Sequence, residues 1–443
     1  MPSKSGTGRS VGKSTGAKKK FDPMVLRSLQ FALHGADPLR PWFRSPPQGV
    51  IPLKAFAHQL PPRKATGGRV AVVSGIVGVN KGQICEEAAM HGRRLYGANA
   101  TVVHVGRRMY QLTNAPPDRI LYLPPTRLAQ AREQVFGEIA GLVEAGKDVI
   151  VNTHAAFHWH GGTFYGIDEN NRRVLRQLGA DTFISVLDNI PTAHARLRAG
   201  HDYKLTLAQV AKWRTVDETA MRELAGGIAG DASHFIIGRG TDKVMVDQTA
   251  LAIGKRIFGP RDLTVVYACF PMTFAFHIPA MMSEIRKFCD ALANKVISQN
   301  PASVDEWAWY KAAEAALARG EPTFRWETEP GVKTEFSTIE VVLLGSEVEA
   351  EILGRDYAKV GQAHMVAAYV PSRTDDDGRP SISAGMQKEL AHAHSLGKVI
   401  SMVWAAAKHK PSPFDKQHSD WMLRSLPELL AAIPERVQII PAL

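Results

Sequence analysis

The sequence predicts an α/β protein built from two parallel-sheet domains, and three observations lead to this class. The chain has 443 residues, more than one ordinary hydrophobic core holds. Short continuous apolar segments alternate with amphipathic segments, as expected for strands buried between helices in a parallel sheet. A cluster of glycine, proline and charged residues over 254–262 divides this alternation into two series.

The composition is that of an ordinary globular protein. Hydrophobic residues make up 45% of the chain and charged residues 22%. No apolar run approaches the roughly 20 residues that span a bilayer, and the N-terminus lacks the apolar segment of a signal peptide. The cysteines Cys85, Cys269 and Cys289 form no CxxC pair, which favours a reducing compartment. We therefore expect a cytoplasmic protein that does not contact a membrane.

The beginning of the chain is basic and is predicted to stay outside the folded domains. The net charge is +11, and residues 1–20 contribute six basic side chains and no acidic ones. Such a segment has too little apolar surface to fold alone, so it is interpreted as a disordered tail. It could also make weak contact with nucleic acid. Residues 21–66 are rich in proline and are predicted to form an extended connector.

The first domain is predicted over residues 67–255, and it begins with a buried strand at 69–74. A glycine-containing turn follows, and then a helix over 83–96. The remaining segments continue the alternation of strands and helices, which predicts right-handed crossovers. The further strands are expected at 101–105, 148–152, 182–187 and 234–237, and the further helices at 128–145 and 205–224.

The second domain is predicted over residues 262–443 by a second alternating series. Residues 301–335 are expected to be helical and then irregular, and part of them forms an insertion. The strands are expected at 264–267, 339–344, 365–370 and 399–403. The helices are expected at 280–298, 355–362, 385–396 and 420–432.

A phosphate-binding loop is predicted between the first strand and the first helix. Gly75 and Lys81 match the pattern GxxxxGK[ST], and Gly78 lies inside the loop. Asn80 replaces the second glycine, which is tolerable because asparagine adopts left-handed backbone more readily than most residues. Gly82 replaces the final Ser or Thr and removes the hydroxyl group that normally ligates Mg²⁺. The loop predicts a bound phosphate group, from ATP or another nucleotide, and leaves the need for magnesium open.

The segments that follow the loop strengthen the prediction of a nucleotide site. A strand ends in Asn152-Thr-His154, a glycine-containing loop comes next, and a later segment carries Arg196 and Arg198. Over roughly residues 68–250 this order resembles the archaeal-type adenylate kinase family. The resemblance implies a P-loop kinase-like fold in which His154, Arg196 and Arg198 lie near a bound nucleotide.

Two magnesium-linked positions of that family differ in this chain. Gly82 lacks the hydroxyl group, and Asn152 stands where the family has an aspartate. These differences argue against a working kinase and leave three alternatives: a nucleotide-binding pseudokinase or sensor, a phosphotransferase with an altered metal site, and a structural relic. His154, His158 and His160 lack the cysteine or acidic partners of a zinc site, so no metal ligand is predicted among them.

A second site is predicted around a glutamate in the last quarter of the chain. Ser383 and Gly385 open a predicted helix that carries Glu389. The N-terminus of a helix attracts anions, and a carboxylate beside the anomeric carbon of a sugar can act as a nucleophile. A second acid has to protonate the departing base, and Asp356 is the candidate.

The order of these residues along the chain matches a known pattern. Asp356 follows an arginine and precedes an apolar strand, and Tyr267 lies on the first strand of the series. Ser383, Gly385 and Glu389 then follow at the spacing SxGxxxE. This arrangement resembles the nucleoside 2-deoxyribosyltransferase superfamily, and its hydrolase branch, the 2-deoxynucleoside 5-phosphate N-hydrolases, in particular.

The resemblance covers about residues 262–405 and implies a Rossmann-like deoxyribosyltransferase-like domain. It implies that Glu389 is the nucleophile and that Asp356 helps to protonate or orient the base. It further implies that Tyr267 orients Glu389 and that Ser383 binds the 5-phosphate.

An acidic loop precedes the serine, and the resemblance to the transferase branch implies that Asp375 or Asp377 shares the substrate site. Relatives of this domain assemble into dimers or larger oligomers, which implies a homo-oligomer. The sequence therefore predicts an N-glycosidase or deoxyribosyltransferase for a nucleoside or nucleoside monophosphate, with a nucleotide-binding regulatory half. The alternatives are a nucleoside monophosphate kinase and a non-catalytic nucleotide sensor.

Overall fold

The structure, a computed structural model, confirms the predicted α/β class. It describes residues 54–56, 68–159, 162–201, 204–275, 278–372, 382–406 and 409–440. Residues 45–443 belong to one compact unit, whose described part contains two five-stranded parallel sheets and three two-stranded ones. The predicted basic tail and nearly all of the proline-rich connector lie outside the described residues.

The first sheet is formed by segments that precede residue 240. The strands of this half are β1 (Lys54–Phe56), β2 (Val70–Ser74), β3 (Ala100–His104), β4 (Asp148–Asn152), β5 (Ala156–Trp159), β6 (Gly162–Tyr165), β7 (Thr182–Leu187) and β8 (His234–Gly238). The strand order in the sheet is β3-β4-β2-β7-β8, so β2 is central, and β5 pairs with β6 in a separate hairpin. The helices are α1 (Lys81–Tyr96), α2 (Val105–Thr113), α3 (Pro125–Glu144), α4 (Glu169–Gln177), α5 (Ile190–Gly200), α6 (Leu207–Ala229) and α7 (Lys243–Phe258).

The second sheet is formed by segments that follow residue 262. All strands that follow residue 262, within this sheet or outside it, are β9 (Val265–Cys269), β10 (Ile297–Gln299), β11 (Thr323–Glu329), β12 (Val332–Ser337), β13 (Met365–Val370), β14 (Val399–Trp404), β15 (Trp421–Leu423) and β16 (Gln438–Ile440). The helices are α8 (Met272–Ala275), α9 (Pro279–Lys295), α10 (Trp307–Ala318), α11 (Thr338–Leu343), α12 (Gly345–Gln362), α13 (Ala384–Ser395), α14 (Pro413–Lys416) and α15 (Leu426–Ala432). The strand order is β10-β9-β13-β14-β15, and β16 pairs with β1.

This topology determines where ligands can bind. In open parallel sheets the binding crevice lies beyond the carboxyl ends of the strands, where neighbouring connections leave in opposite directions. In the first sheet the predicted phosphate loop follows the central strand β2. In the second sheet β9 lies between β10 and β13, and Tyr267 and Cys269 occupy its carboxyl end. Both predicted sites therefore lie at the expected edge of their sheet.

The strand predicted over 339–344 is wrong, because this segment forms α11 and its C-terminal boundary. Ser337 caps the helix by accepting a hydrogen bond from the Glu340 backbone nitrogen at 3.4 Å. Val341 is fully buried, whereas Ile339 is 60% exposed and Leu343 is 74% exposed. The buried residues thus lie on one helix face. The N-cap favours a helix here and outweighs the β-branched residues of the segment, which favour a strand.

The helix predicted over 420–432 is only partly correct. Residues 421–423 form β15, which pairs with β14 and completes the edge of the second sheet. The helix α15 begins afterwards at Leu426, where Ser425 provides its N-cap. Pairing with the sheet therefore outweighs the helical pattern in the first residues of this segment.

The insertion of the second series joins the two halves. It contains α10 and the β11–β12 hairpin, and the hairpin packs against α5 of the first half. The Thr192 hydroxyl group donates a hydrogen bond to the Thr328 carbonyl oxygen at 2.9 Å. At the edge strand β8, Gln299 donates to the Ile236 carbonyl oxygen, and the Ile236 backbone nitrogen donates to Gln362 Oε1. These contacts satisfy edge groups that would otherwise be unpaired.

Candidate functional site

The phosphate loop is packed so tightly that glycine is required at two positions. A Cβ on Gly75 would lie 2.6 Å from the Val186 carbonyl oxygen, and one on Gly78 would lie 2.5 Å from the Ala193 carbonyl oxygen. Asn80 caps α1 in left-handed conformation, with a φ of 56°. The loop therefore has the local geometry that its glycines and asparagine predict.

Lys81 and His154, both predicted to bind nucleotide, lie together beside this loop. The Lys81 Nζ atom is 3.2 Å from His154 Nδ1 and 3.1 Å from His154 Nε2. Burial lowers the pKa of Lys81 to about 8, although the Asp217 carboxylate acts in the opposite direction. Burial, together with the Lys81 charge, lowers the pKa of His154 well below its ordinary value. His154 is therefore a neutral imidazole that can accept a hydrogen bond from the Lys81 ammonium group.

A cavity of about 360 Å³ opens in front of Lys81. Its wall includes the loop, the end of β4 and the N-terminal turn of α2. Basic residues that line it, besides the neutral His154, are Lys81, His104, Arg107 and His201. The volume falls within the range of small-molecule sites, and the charges suit an anion.

The two predicted arginines do not line this cavity. Arg196 donates hydrogen bonds to the Gly78 carbonyl oxygen at 2.9 Å, to Asp188 at 2.6 Å and to Glu329 of the hairpin at 3.0 Å. Arg196 therefore connects the loop to the β11–β12 hairpin of the insertion. Arg198 lines a neighbouring cavity of about 480 Å³. Their direct contact with nucleotide stays a prediction.

The second site is a buried cluster where β9, α12 and α13 meet. Glu389 on α13 is only 8% exposed, and the Cys269 thiol group donates a hydrogen bond to Glu389 Oε2 at 3.1 Å. Burial raises the pKa of Glu389 to about 8, and the carboxylate of Asp356 adds to this effect. Burial and Glu389 raise the pKa of the Cys269 thiol group, which therefore stays a neutral donor.

Asp356 faces two cations on its own helix. Its Oδ1 atom lies 3.7 Å from Lys359 Nζ and 3.6 Å from Arg355 Nε. Lys359 is fully buried, and burial lowers its pKa to about 8 although Asp356 favours its charge. The site thus holds two carboxyl groups and two cationic groups with little water around them, a condition that strengthens their mutual interaction.

Three buried polar atoms in this cluster make no hydrogen bond of standard geometry among the described residues, namely Tyr267 Oη, Arg355 Nε and Asp356 Oδ1. The last two lie 3.6 Å apart as an ion pair, and Tyr267 is close enough to Glu389 to affect its pKa. A buried polar atom without a hydrogen bond costs stability. Burial, with Glu389 and Asp356, raises the pKa of Tyr267 well above its ordinary value, so its hydroxyl group remains a donor. That Tyr267 orients Glu389 stays a prediction.

The remaining predicted residues lie at the N-terminus of α13 or outside the described part. Ser383 is buried and accepts a hydrogen bond from the Met386 backbone nitrogen at 3.2 Å, so it caps the helix. Among the described residues, a Cβ on Gly385 would have only Ser383 Oγ within 4 Å, at 3.8 Å. Asp375 and Asp377 lie outside the described residues.

Sequence reasoning missed Cys269 and Lys359. Cys269 follows Tyr267 by two residues, and alternate residues of a strand share a face. Lys359 follows Asp356 by three residues, a spacing at which side chains on a helix are neighbours. Once Tyr267 and Asp356 are chosen as site residues, these spacings would identify Cys269 and Lys359 as their neighbours.

A third missed residue, Glu306, links the two halves through buried ion pairs. It pairs with Arg214 of α6 and, at 3.0 Å, with Arg355 of α12. Burial opposes its ionisation, but the two guanidinium groups lower the pKa of Glu306 to about 2. Arg355 also neighbours Asp356, so this network reaches the second site.

Comparisons with known proteins give little further information. No family model matches the chain, and no curated protein matches it. Among solved structures, the chain is similar to the tunicamycin resistance protein of Deinococcus radiodurans at 14% identity, over 43% of this chain and 95% of that one, with a TM-score of 0.27. A TM-score this low carries no argument about fold or function. Within the described part, no helix is both long and apolar enough to cross a membrane.

Proposed function

We propose that the second half cleaves the N-glycosidic bond of a nucleoside or nucleoside monophosphate through Glu389, by hydrolysis or by transfer of the sugar. In this proposal the first half binds a nucleotide and regulates the reaction. The observation that supports the proposal is the buried cluster of Glu389 and Asp356, with the Tyr267 hydroxyl group beside Glu389. Glycosyl chemistry needs two carboxyl groups whose environments differ, and here both are buried among different partners.

In the proposed reaction, a carboxylate oxygen of Glu389 attacks the anomeric carbon and forms a glycosyl ester. The bond to the base breaks, and its electron pair passes to the base nitrogen, which takes up a proton. In this proposal Asp356, whose Oδ1 atom lies 3.7 Å from Lys359 Nζ, assists that protonation or orients the base. Water then attacks the ester and regenerates the carboxylate, or a second base takes the sugar. The Cys269 thiol group would hold Glu389 in place through its hydrogen bond.

The direct test is to incubate the full chain with a mixture of ribonucleoside and deoxyribonucleoside monophosphates and their nucleosides, and to separate the products by chromatography. Free base should appear, and its identity would name the substrate. The incubation should be repeated with ATP, because the first half is proposed to regulate the second. If no base is released under either condition, the proposed reaction is wrong.

The pH dependence of the reaction provides a second prediction. The reactive form of Glu389 is the carboxylate, but its pKa of about 8 leaves only a minor fraction ionised at neutral pH. We therefore expect kcat/KM to rise by about tenfold for each pH unit below 8 and to level off above it. The measurement is the initial rate of base release from pH 6 to 9, at pH values where the protein stays folded. A rate that falls above pH 8 would instead make Glu389 the proton donor.

A non-catalytic nucleotide sensor is a second candidate function for the whole chain. It is favoured by Arg196, which is engaged with acids and with the loop backbone instead of lining the cavity. A nucleoside monophosphate kinase remains a third candidate, since Lys81 faces the cavity. Nucleotide binding without turnover by either half would support the sensor. Formation of diphosphates from ATP that depends on Lys81 would support the kinase.

A further inference from the structure

The phosphate-loop cavity offers a poor set of donors for magnesium. Mg²⁺ prefers oxygen ligands in octahedral geometry, and on loops of this type a hydroxyl group and an acidic residue hold it. Here Gly82 has no hydroxyl group, and Asn152 provides an amide. The described residues that line the cavity include no aspartate or glutamate. Among the described residues, no three side chains of His, Cys, Asp or Glu are grouped as a metal site.

His104 fills the space beside Gly82. A Cβ placed on Gly82 would lie 3.5 Å from His104 Cε1 and 3.7 Å from Asn152 Nδ2. His104 Nδ1 is 2.7 Å from Asn152 Nδ2, and His104 Nε2 is 2.9 Å from Glu86 Oε1. Both ring nitrogens are thus engaged, so the histidine cannot ligate a metal without losing a hydrogen bond. The group next to the loop is a side chain that can itself become cationic.

The charge around the cavity is arranged for an anion. Lys81, Arg107 and His201 line it together with His104. Two acids near these histidines already have partners, since Glu86 pairs with His104 and Asp118 pairs with His201 at 2.7 Å. Neither Glu86 nor Asp118 is among the described residues that line the cavity.

The side chain of Asn152 provides an independent sign of a ligand. Asn152 is 9% exposed and lines the cavity, and its Oδ1 atom has no hydrogen-bond partner in the described part of the chain. If the amide turned over, Oδ1 would accept a hydrogen bond from Nδ1–H of a protonated His104. The amide nitrogen would then be free to donate to a phosphate oxygen, and Glu86 would hold the other side of the imidazolium.

We propose that this cavity binds the phosphate groups of a nucleotide without a divalent cation. Lys81, Arg107 and His104 supply the positive charge that Mg²⁺ supplies on related loops. The inference rests on the nucleotide binding assigned to the first half in the proposed function, and it deepens that assignment by naming the ligand as a metal-free polyphosphate.

Isothermal titration of the full chain with ATP, in EDTA and in excess Mg²⁺, tests the inference. We expect affinity in EDTA to equal or exceed affinity in Mg²⁺, because free ATP carries more negative charge than its magnesium complex. Lys81→Met should weaken binding by about a hundredfold in both buffers, since the charged partner of the phosphate is lost. Affinity at least about tenfold lower in EDTA than in Mg²⁺ would overturn the inference.

A variant that restores the usual magnesium ligands tests whether their loss explains binding without a metal. Gly82→Ser with Asn152→Asp restores the hydroxyl group and the carboxylate, and a Cβ at Gly82 meets its neighbours at ordinary contact distance. This double variant should bind ATP more tightly with Mg²⁺ than with EDTA, and thermal unfolding would confirm that it folds. His104→Gln should weaken binding in EDTA without that reversal. A double variant that stays insensitive to Mg²⁺ while His104→Gln binds normally would contradict the role of these positions.

The result can be separated from the proposed catalytic reaction. Base release depends on Glu389 and is measured by chromatography, whereas metal dependence is measured by binding at Lys81. If ATP fails to bind in either buffer, titration with inorganic triphosphate decides whether the cavity takes polyphosphate at all. Failure of both ligands would overturn the inference and would leave the assay of the second half unaffected.

Discussion

Replacing Glu389 by Gln should reduce base release by about a thousandfold or more, because the amide cannot attack the anomeric carbon and the covalent route is lost. The substitution keeps the size and shape of the side chain, so the packing of α13 against β9 should be preserved. The measurement is the rate of base release from the preferred nucleotide under conditions of saturating enzyme. A Glu389→Gln variant that retained the full rate would rule out this mechanism.

The same substitution should increase stability at alkaline pH. The pKa of Glu389 is raised from 4.5 to about 8, so the folded state holds a proton that the unfolded state releases between these values. The free energy of unfolding therefore falls as pH rises through this interval, by at most about 1.4 kcal/mol for each unit. A glutamine at this position does not titrate, so it contributes no such dependence of the free energy of unfolding on pH. Thermal unfolding should show a higher Tm for Glu389→Gln than for the native chain near pH 8, with little difference near pH 5.

A control on a neighbouring helix separates this effect from a general change of charge. Glu349 is exposed on α12, the helix that also carries Asp356. Glu349→Gln removes the same charge outside the site and should change neither base release nor the dependence of Tm on pH. Loss of activity combined with a gain in stability, in Glu389→Gln alone, is the pattern expected of a residue retained for function.

The central strands of both sheets could be predicted well because burial on two faces leaves a simple signal. The edge strands β10 and β15 of the second sheet were instead assigned to the helices predicted over 280–298 and 420–432. Residues 148–152, 182–187 and 365–370 form strands with the predicted boundaries. Residues 339–344 have a similar apolar composition but form a helix, since Ser337 caps them and only one face is buried. Local composition does not reveal which faces are covered by the rest of the chain.

Parts of the two sites could be predicted because their backbone geometry is determined by residues that are close together in the sequence. Gly75, Asn80 and Lys81 occupy a loop whose geometry depends on local sequence, and the structure gives them that geometry. Arg196 was predicted to lie near nucleotide, but it contacts Glu329, which is 133 residues further along the chain. Partners at that distance belong to an insertion, and no local pattern indicates them. Buried ion pairs are consequently the features that sequence reasoning found least well.

Glu306 is a buried residue that links the two halves through ion pairs. Its side chain is 1% exposed and accepts hydrogen bonds from Arg214 and Arg355. Glu306→Gln would remove a carboxylate that two buried guanidinium groups share. Arg214 would keep its pair with Glu351, and Arg355 would keep Asp356 and the Val304 carbonyl oxygen as partners. We therefore expect a loss of about 3 kcal/mol in the free energy of unfolding, the lower end for a broken buried pair. Denaturant unfolding near neutral pH measures this loss. The exposed Glu321, which pairs with Arg319, is the control, and Glu321→Gln should cost less than about 1 kcal/mol.

Two further measurements on Glu306→Gln, its stability as a function of pH and its rate of base release, test the role of the ion pairs between Glu306 and the two arginines. The pKa of Glu306 is lowered from 4.5 to about 2, so its stabilisation is present above 4.5 and is lost as pH falls towards 2. The difference between the native chain and Glu306→Gln should therefore shrink over that interval. Because Arg355 also neighbours Asp356, the variant should release base more slowly even at temperatures where it remains folded. A large loss of stability without any loss of rate would show that the network joins the two halves but does not position the second site.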